Sequence, residues 1–289
     1  MLKDKEIKEK EPIQKIWHSK LDLETQIPVL DFKYQGKVVR KLPFYEHLGR
    51  KNESATILKI GACNFNCPYC FRYSQSEPHQ TLPLWKLLKI GMDAINQDMI
   101  IRLSGGDPVA TSKESVEMVK FFYQQKGEKF SHGRVAVAHN GSSPSFVKKI
   151  APYLEMIALD VKTVPEKYPE ITGLPSKKDF GKTLFEKSLQ SIKTAEKHGI
   201  LVEIRTPIFR ETTYNELEYI ANELEKLDLN KDRTFWTLRI YNSVKTCDWS
   251  EVTEDQIYPD LKKIGKHFKK INIGLRRDTL SGEAKIERL

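Results

Sequence analysis

From about Ala55 onward, short apolar and β-branched runs alternate with stretches of helical period, the pattern of repeated βα units around a parallel sheet. The runs predict strands over Ala55–Ile60, Met99–Leu103, Val135–Ala138, Met156–Leu159, Leu201–Arg205 and Thr234–Tyr241, with a short seventh at Ile271–Leu275. The periodic stretches predict helices over Leu84–Asn96, Lys113–Gln124, Pro144–Ile150, Phe185–His198, Tyr214–Leu227 and Pro259–Lys270. Thr111 with Glu114, and Thr213 with Glu216, are spaced as capping boxes, and Gly199 after His198 is placed to end a helix. Six such units joined by right-handed crossovers curl into a barrel shorter than the closed eight-unit form, with a lateral opening for a large substrate. The expected fold class is therefore α/β, a partial (β/α)6 TIM-like barrel over residues 55–289. Residues 1–54 read as an N-terminal extension, in which Trp17, Phe32 and Tyr34 are placed to pack against the barrel.

Composition narrows the class without naming a reaction. The chain has 289 residues, 39% of them hydrophobic and 10% aromatic, which is globular rather than disordered usage. No run of about 18 apolar residues is present to span a bilayer. The start, Met1 to Pro12, is rich in Lys and Glu and lacks the apolar core of a signal peptide, so a cytoplasmic protein without a membrane partner is expected. The formal charge of +9 leaves room for an anionic partner, nucleic acid included. The densest basic run, however, Lys262, Lys263, Lys266, Lys269 and Lys270, shares its segment with Ile257, Leu261, Ile264 and Phe268 at core spacing, the mark of a solvated amphipathic helix.

Cysteine placement is more pointed. Three of the four cysteines fall in Gly61-Ala-Cys-Asn-Phe-Asn-Cys-Pro-Tyr-Cys70, directly after the first predicted strand, with the spacing C-x3-C-x2-C. Such clustering is a poor disulfide framework and argues for metal ligation. A 4Fe-4S cluster normally takes four cysteines, so three ligands, Cys63, Cys67 and Cys70, leave one iron open to a small molecule with nitrogen and oxygen donors. A structural zinc site would need a fourth ligand, for which His79 is the nearest candidate, and the usual paired C-x-x-C halves are absent. A redox pair of Cys67 and Cys70 would leave Cys63 unexplained. The isolated Cys247 reads as a small buried residue.

Further polar motifs stand at the ends of the later strands. Ser104-Gly-Gly-Asp-Pro108 follows the second, where Gly105 and Gly106 let backbone approach a ligand closely and Asp107 offers a carboxylate. The third ends in Ala138-His-Asn-Gly-Ser142 and the fourth in Leu159-Asp-Val-Lys162, which places Asn140, Asp160 and Lys162 on the rim of the cysteine loop. Asp160 and Lys162, two apart on a strand, share a side, and the fifth strand ends at Arg205, a natural partner for a carboxylate.

The cysteine spacing, with aromatic Tyr69 before the last cysteine, resembles the radical S-adenosylmethionine superfamily. That resemblance implies a 4Fe-4S cluster and S-adenosylmethionine as cofactors, reductive cleavage of the latter, and a 5′-deoxyadenosyl radical that abstracts hydrogen from substrate. Gly105-Gly106-Asp107-Pro108 resembles the superfamily's Gly-Gly-Glu-Pro element, which binds the cofactor's amino group, with Asp standing for Glu. From about Ile57 to Tyr241 the chain is similar to the activating enzymes of glycyl-radical enzymes, through Asn140-Gly141, Leu159 to Lys162, Lys167-Tyr168, Thr172-Gly173 and Arg205-Thr-Pro207. It departs from them in Phe71-Arg72, where they commonly carry His or Gln followed by Asn. The resemblance implies cofactor contacts from Tyr69, Gly105, Gly106, Asp107, Asn140, Asp160, Lys162 and Arg205, a glycine in a partner protein as substrate, and an electron donor such as flavodoxin or ferredoxin. Two other readings compete: a radical enzyme acting on a small molecule or nucleic acid, similar to the deazapurine-forming synthases, and a non-catalytic metal-binding module.

Overall fold

The computed structural model describes residues 2–30, 35–39, 54–70, 80–175, 179–241, 253–278 and 284–289. Phe32, Tyr34, Phe71, Arg72, His79 and Cys247, singled out above, lie outside the described residues.

The chain opens with helix α1 (Leu2–Ile16), strand β1 (Gln26–Val29) and strand β2 (Lys37–Val39). Then come β3 (Ala55–Ile60), β4 (Gln80–Pro83) and α2 (Leu84–Ile95), followed by β5 (Ile100–Gly105) and α3 (Ser112–Gln124). The pattern continues through β6 (Val135–His139), α4 (Pro144–Ile150), β7 (Met156–Asp160), the short α5 (Tyr168–Thr172) and α6 (Phe180–Lys197). It ends in β8 (Leu201–Ile208), α7 (Tyr214–Glu225), β9 (Thr234–Ile240), α8 (Glu254–His267), β10 (Asn272–Asp278) and β11 (Ala284–Arg288).

All the described strands join one sheet, in the order β11-β10-β9-β8-β7-β6-β5-β3-β1-β4, with β2 also paired to β3. Neighbours from β3 to β10 run parallel, and β11, β1 and β2 pair antiparallel at the two ends. The sheet does not close, as expected of a partial barrel. The parallel strands were legible because both their faces are covered: every residue of β6 is buried. One face meets the helices in a large core that includes Val137, Ile157, Ile204 and Trp236 of the sheet and Phe122, Phe146 and Phe185 of α3, α4 and α6. The other face closes on itself in a small cluster of Ala55, Ile100, Ala136, Ala138, Met156, Ala158, Leu201 and Phe235. Half of that inner cluster is alanine, so the lumen is narrow at its floor; toward the carboxyl ends of the strands the inner row turns polar, through Asn140, Asp160, Glu203, Arg205, Thr237 and Arg239.

Several local expectations need correction. Thr111 does not cap α3, because it closes a 3-10 turn over Pro108–Thr111 and pairs with the Ser115 hydroxyl at 3.0 Å. Asp107 opens that turn instead, accepting from the Val109 N–H at 2.9 Å. The second box holds: the Thr213 hydroxyl accepts from the Glu216 N–H and the Glu216 carboxylate from the Thr213 N–H. Helix α8 starts at Glu254, five residues before Pro259, because Gln256 reaches back to the Thr253 N–H and fixes the start upstream. In the N-terminal segment, Ile13 is buried, Trp17 packs edge-on against Phe121 of α3 at 5.4 Å, and β1 lies along β3 and β4.

Candidate active site

The cysteine loop, residues 61–70, leaves β3 at its carboxyl end and is tied down from four directions. Gly61 donates to the Pro28 carbonyl at 2.8 Å on the β1 side. On the β5 side the Asp107 N–H donates to the Ala62 carbonyl at 2.8 Å, and Gly106 lies so close that a Cβ there would stand 2.1 Å from the Ala62 oxygen. Beyond β6, the Asn64 side chain donates to the Ser142 hydroxyl at 2.9 Å and accepts from the Asn140 amide at 2.6 Å. From α5, the Thr172 carbonyl accepts from the Asn66 N–H at 2.9 Å. Gly173 follows in the left-handed conformation, φ 64°, where a Cβ would meet the Asn66 oxygen at 2.1 Å. Both positions therefore demand glycine.

Within this frame Cys67 is buried, Cys63 and Cys70 are half-buried, and the Cys70 N–H closes a turn on the Cys67 carbonyl at 3.0 Å. Burial pushes the Cys67 thiol up, and the nearby Lys162 ammonium opposes that shift. Among the described residues no three Cys, His, Asp or Glu side chains gather around one point where a single metal ion would sit. Tetrahedral zinc would require thiolates converging on one atom at about 2.3 Å. A 4Fe-4S cluster attaches each cysteine to a different iron, which a single loop carrying three thiols can provide.

Beside the loop stands an ion triad that the sequence had placed correctly on one side. Asp160, at the end of β7, accepts from Lys162 Nζ at 2.8 Å and from Arg205 Nε at 2.8 Å, with Arg205 Nη2 at 2.6 Å. Burial alone would raise the Asp160 carboxyl, but Arg205 and then Lys162 outweigh it and hold the group at about 2. For the two cations burial works downward and Asp160 prevails, so both are held above their ordinary values. Lys162 Nζ also donates to the Tyr69 hydroxyl at 3.1 Å, and the Tyr69 ring packs edge-on against Phe209 and Tyr241. The triad carries one net positive charge and touches the cysteine loop through Tyr69.

Asp107 is committed inward. Its Oδ1 takes the Val109 N–H and stands 2.8 Å from His139 Nδ1, and its Oδ2 takes the Asn140 N–H at 2.6 Å. His139 Nε2 accepts from the Ser143 N–H at 3.3 Å, which leaves Nδ1 to carry the proton it gives Asp107. The pair is buried and ties the β5 and β6 loops to each other.

The structure thus brings together the three cysteines, Tyr69, Gly105, Gly106, Asp107, Asn140, Asp160, Lys162 and Arg205 around one rim. Sequence reasoning missed His139 and Ser188. The Ser188 hydroxyl pairs at 3.0 Å with that of Tyr168, which accepts from the Lys162 N–H at 3.1 Å. His139 carried a usable signal, since it adjoins Asn140 at a strand end; Ser188 lies mid-helix in α6 and carried none.

The sequence profile of the Radical SAM superfamily matches residues 57–224. No curated protein is matched by sequence. Among solved structures, a radical SAM methyltransferase from Sphaerobacter thermophilus superposes with a TM-score of 0.56 at 13% identity, over 80% of this chain and 70% of that one. HydG, a maturase of the [FeFe]-hydrogenase, gives 0.54 at 16% identity, over 76% of this chain and 51% of that one. Streptococcus suis SuiB, solved with S-adenosylmethionine, gives 0.51 at 10% identity, over 76% and 46%. The chain therefore spans about half the length of the latter two.

Proposed function

The chain belongs to the radical SAM superfamily, and on that premise we propose that it activates a glycyl-radical enzyme by abstracting hydrogen from a glycine of that partner. Its cofactors are a 4Fe-4S cluster and S-adenosylmethionine. Cys63, Cys67 and Cys70 would hold the cluster. Held there and reduced by an external one-electron donor, the cluster would supply the electron for reductive cleavage of S-adenosylmethionine to methionine and a hydrogen-abstracting 5′-deoxyadenosyl radical.

The protein's own part is to bind and orient. The triad of Asp160, Lys162 and Arg205 keeps one positive charge beyond its internal pairing, which suits the cofactor's carboxylate. Asp107, fixed by His139 and Asn140, keeps acceptor capacity on Oδ2 and would share the cofactor's ammonium group with the backbone carbonyls of Gly105 and Gly106. Tyr69 lies against Lys162 and packs edge-on with Phe209 and Tyr241, an apolar cover beside the charged groups.

One observation carries the finer assignment. The segments that resemble the activating enzymes, Leu159 to Lys162, Tyr168, Thr172-Gly173 and Arg205, are not scattered but bear on the cysteine loop and the triad. The test is anaerobic reconstitution with iron and sulfide, reduction, and addition of S-adenosylmethionine with a co-occurring glycyl-radical protein. The expected result is a stable organic radical in the partner by EPR, formed alongside 5′-deoxyadenosine. Hydrogen transfer from a small heterocycle with no partner protein present would overturn the assignment.

A further inference from the structure

The inner face of the last three strands carries a group of arginines that cofactor binding does not use. Along β9 the inward row is Phe235, Thr237 and Arg239, alternating with Trp236 and Leu238 of the outer core. On β10 the inward row holds Gly274, where a Cβ would meet Ile286 and Phe235, and then Arg276, while Ile273 and Leu275 face the helices. On β11 Ile286 packs on the inner cluster, so Arg288, two residues on, shares its face; Glu287 points the other way and meets the Tyr258 hydroxyl of α8.

Register brings these arginines together. Arg276 lies directly beside Arg239, and Arg288 pairs with Gly274, one diagonal step from Arg276. Strands are about 4.8 Å apart, so guanidinium groups of this reach share one patch. Arg239 stands one inward step beyond Thr237, which is level with Arg205. The patch therefore faces the mouth at or above the height of the triad. In the sheet order β9 is separated from β3, which launches the cysteine loop, by β5, β6, β7 and β8, so the curl sets it on the opposite wall.

Like charges side by side on one sheet face repel, and this chain keeps three of them at the open end of the barrel, two exposed and one half-buried. All three have contacts of their own within the chain. A guanidinium has five N–H donors in a rigid fork, however, and a converging set grips a carboxylate or phosphate from two sides. We propose that Arg239, Arg276 and Arg288 form a binding site for an oxyanion, a carboxylate or phosphate borne by the substrate, on the wall facing the cysteine loop. It would steer an acidic substrate into the mouth and hold it with its reacting hydrogen toward the cofactor. This holds whether the hydrogen donor is a protein or a small molecule.

The test is calorimetric, on the reconstituted protein with S-adenosylmethionine present. Three probes are titrated: inorganic phosphate, a glycine peptide flanked by glutamates, and the same peptide flanked by lysines. Each is repeated on Arg239→Gln and Arg276→Gln, with cluster absorbance and cofactor affinity checked as unchanged. Phosphate binding that weakens tenfold or more in both variants supports the site and assigns it to a small substrate. A glutamate-flanked peptide bound at least tenfold tighter than its lysine counterpart, with the same arginine dependence, supports it and assigns it to a protein segment. No binding by either acidic probe, or binding that both variants leave unchanged, overturns it. Glycyl-radical formation is not read, so failure of the activating-enzyme assignment and failure of this site are distinguishable.

Discussion

Replacing Asp160 by Asn removes the carboxylate that bridges Lys162 and Arg205 while keeping side-chain size. The three side chains are 16%, 9% and 16% exposed, so little solvent is at hand to take over from the lost charge. Two figures bound the cost. The Asp160 carboxyl is held at about 2 against the ordinary 3.8, and at 1.36 kcal/mol per unit this linkage contributes about 2 kcal/mol at neutral pH. Leaving buried cations without their partner costs about 3–5 kcal/mol. A loss of about 3–5 kcal/mol is therefore expected, read as a lower urea midpoint by circular dichroism with the denaturant slope unchanged. The folded pKa lies below the unfolded one, so the contribution is complete above about pH 4 and is lost as pH falls toward 2. The gap between wild type and variant should thus be flat from pH 5 to pH 8 and narrow only in acid. Adding Lys162→Met to the variant should recover part of the loss. A gap under about 1 kcal/mol, or one that varies between pH 5 and pH 8, would show that the triad does not work as an ion network.

Cys63→Ala, Cys67→Ala and Cys70→Ala should each lose the reconstituted cluster's absorbance and EPR signal, whereas Cys247→Ala should keep both; a cluster surviving loss of Cys67 would refute the ligand set. Gly173→Ala should lower iron content and the unfolding midpoint, because a left-handed alanine costs about 1–2 kcal/mol and its Cβ falls on the Asn66 oxygen. Wild-type iron content in that variant would mean that α5 does not hold the cysteine loop. Asp107→Asn turns one acceptor oxygen into a donor and must abandon Val109, Asn140 or His139, a cost of about 1–3 kcal/mol. Its cofactor dissociation constant should rise while iron content stays, and an unchanged constant would argue against the positioning role.

The alternation of strands and helices was readable because strands such as β6 and β7 are buried on both faces and so appear as unbroken apolar runs. Strands β1, β2, β4 and β11 were not foreseen. They are short, they pair at or near the sheet ends through backbone groups, and a run such as Lys37–Val39 has no periodicity to detect. The cysteines, Asp160, Lys162 and Arg205 could be placed from spacing alone, since strand ends with known order share a rim. What spacing could not show was the use of each group. Asp107 looked like a free carboxylate in a glycine turn, and only folding brings His139, 32 residues on, to its Oδ1. Thr172-Gly173 was visible as a motif, but the close approach of Asn66 that makes glycine necessary arises from a contact across the barrel mouth.

These constraints divide the mouth into two halves with different freedom to change. On the side of β3 to β8, backbone passes within van der Waals contact of backbone at Gly106 and Gly173, and the charged groups are paired with one another. A substitution there disturbs several neighbours at once, which suits a site that must hold one cofactor in one pose. On the side of β9 to β11, Arg239 and Arg288 are exposed side chains on a regular sheet face, where a replacement changes charge without moving backbone. A radical SAM methyltransferase and a hydrogenase maturase share the fold with this chain at 13% and 16% identity. With the rigid half given to the cofactor, the proposed arginine wall is where this chain can present charge to a substrate without disturbing that half.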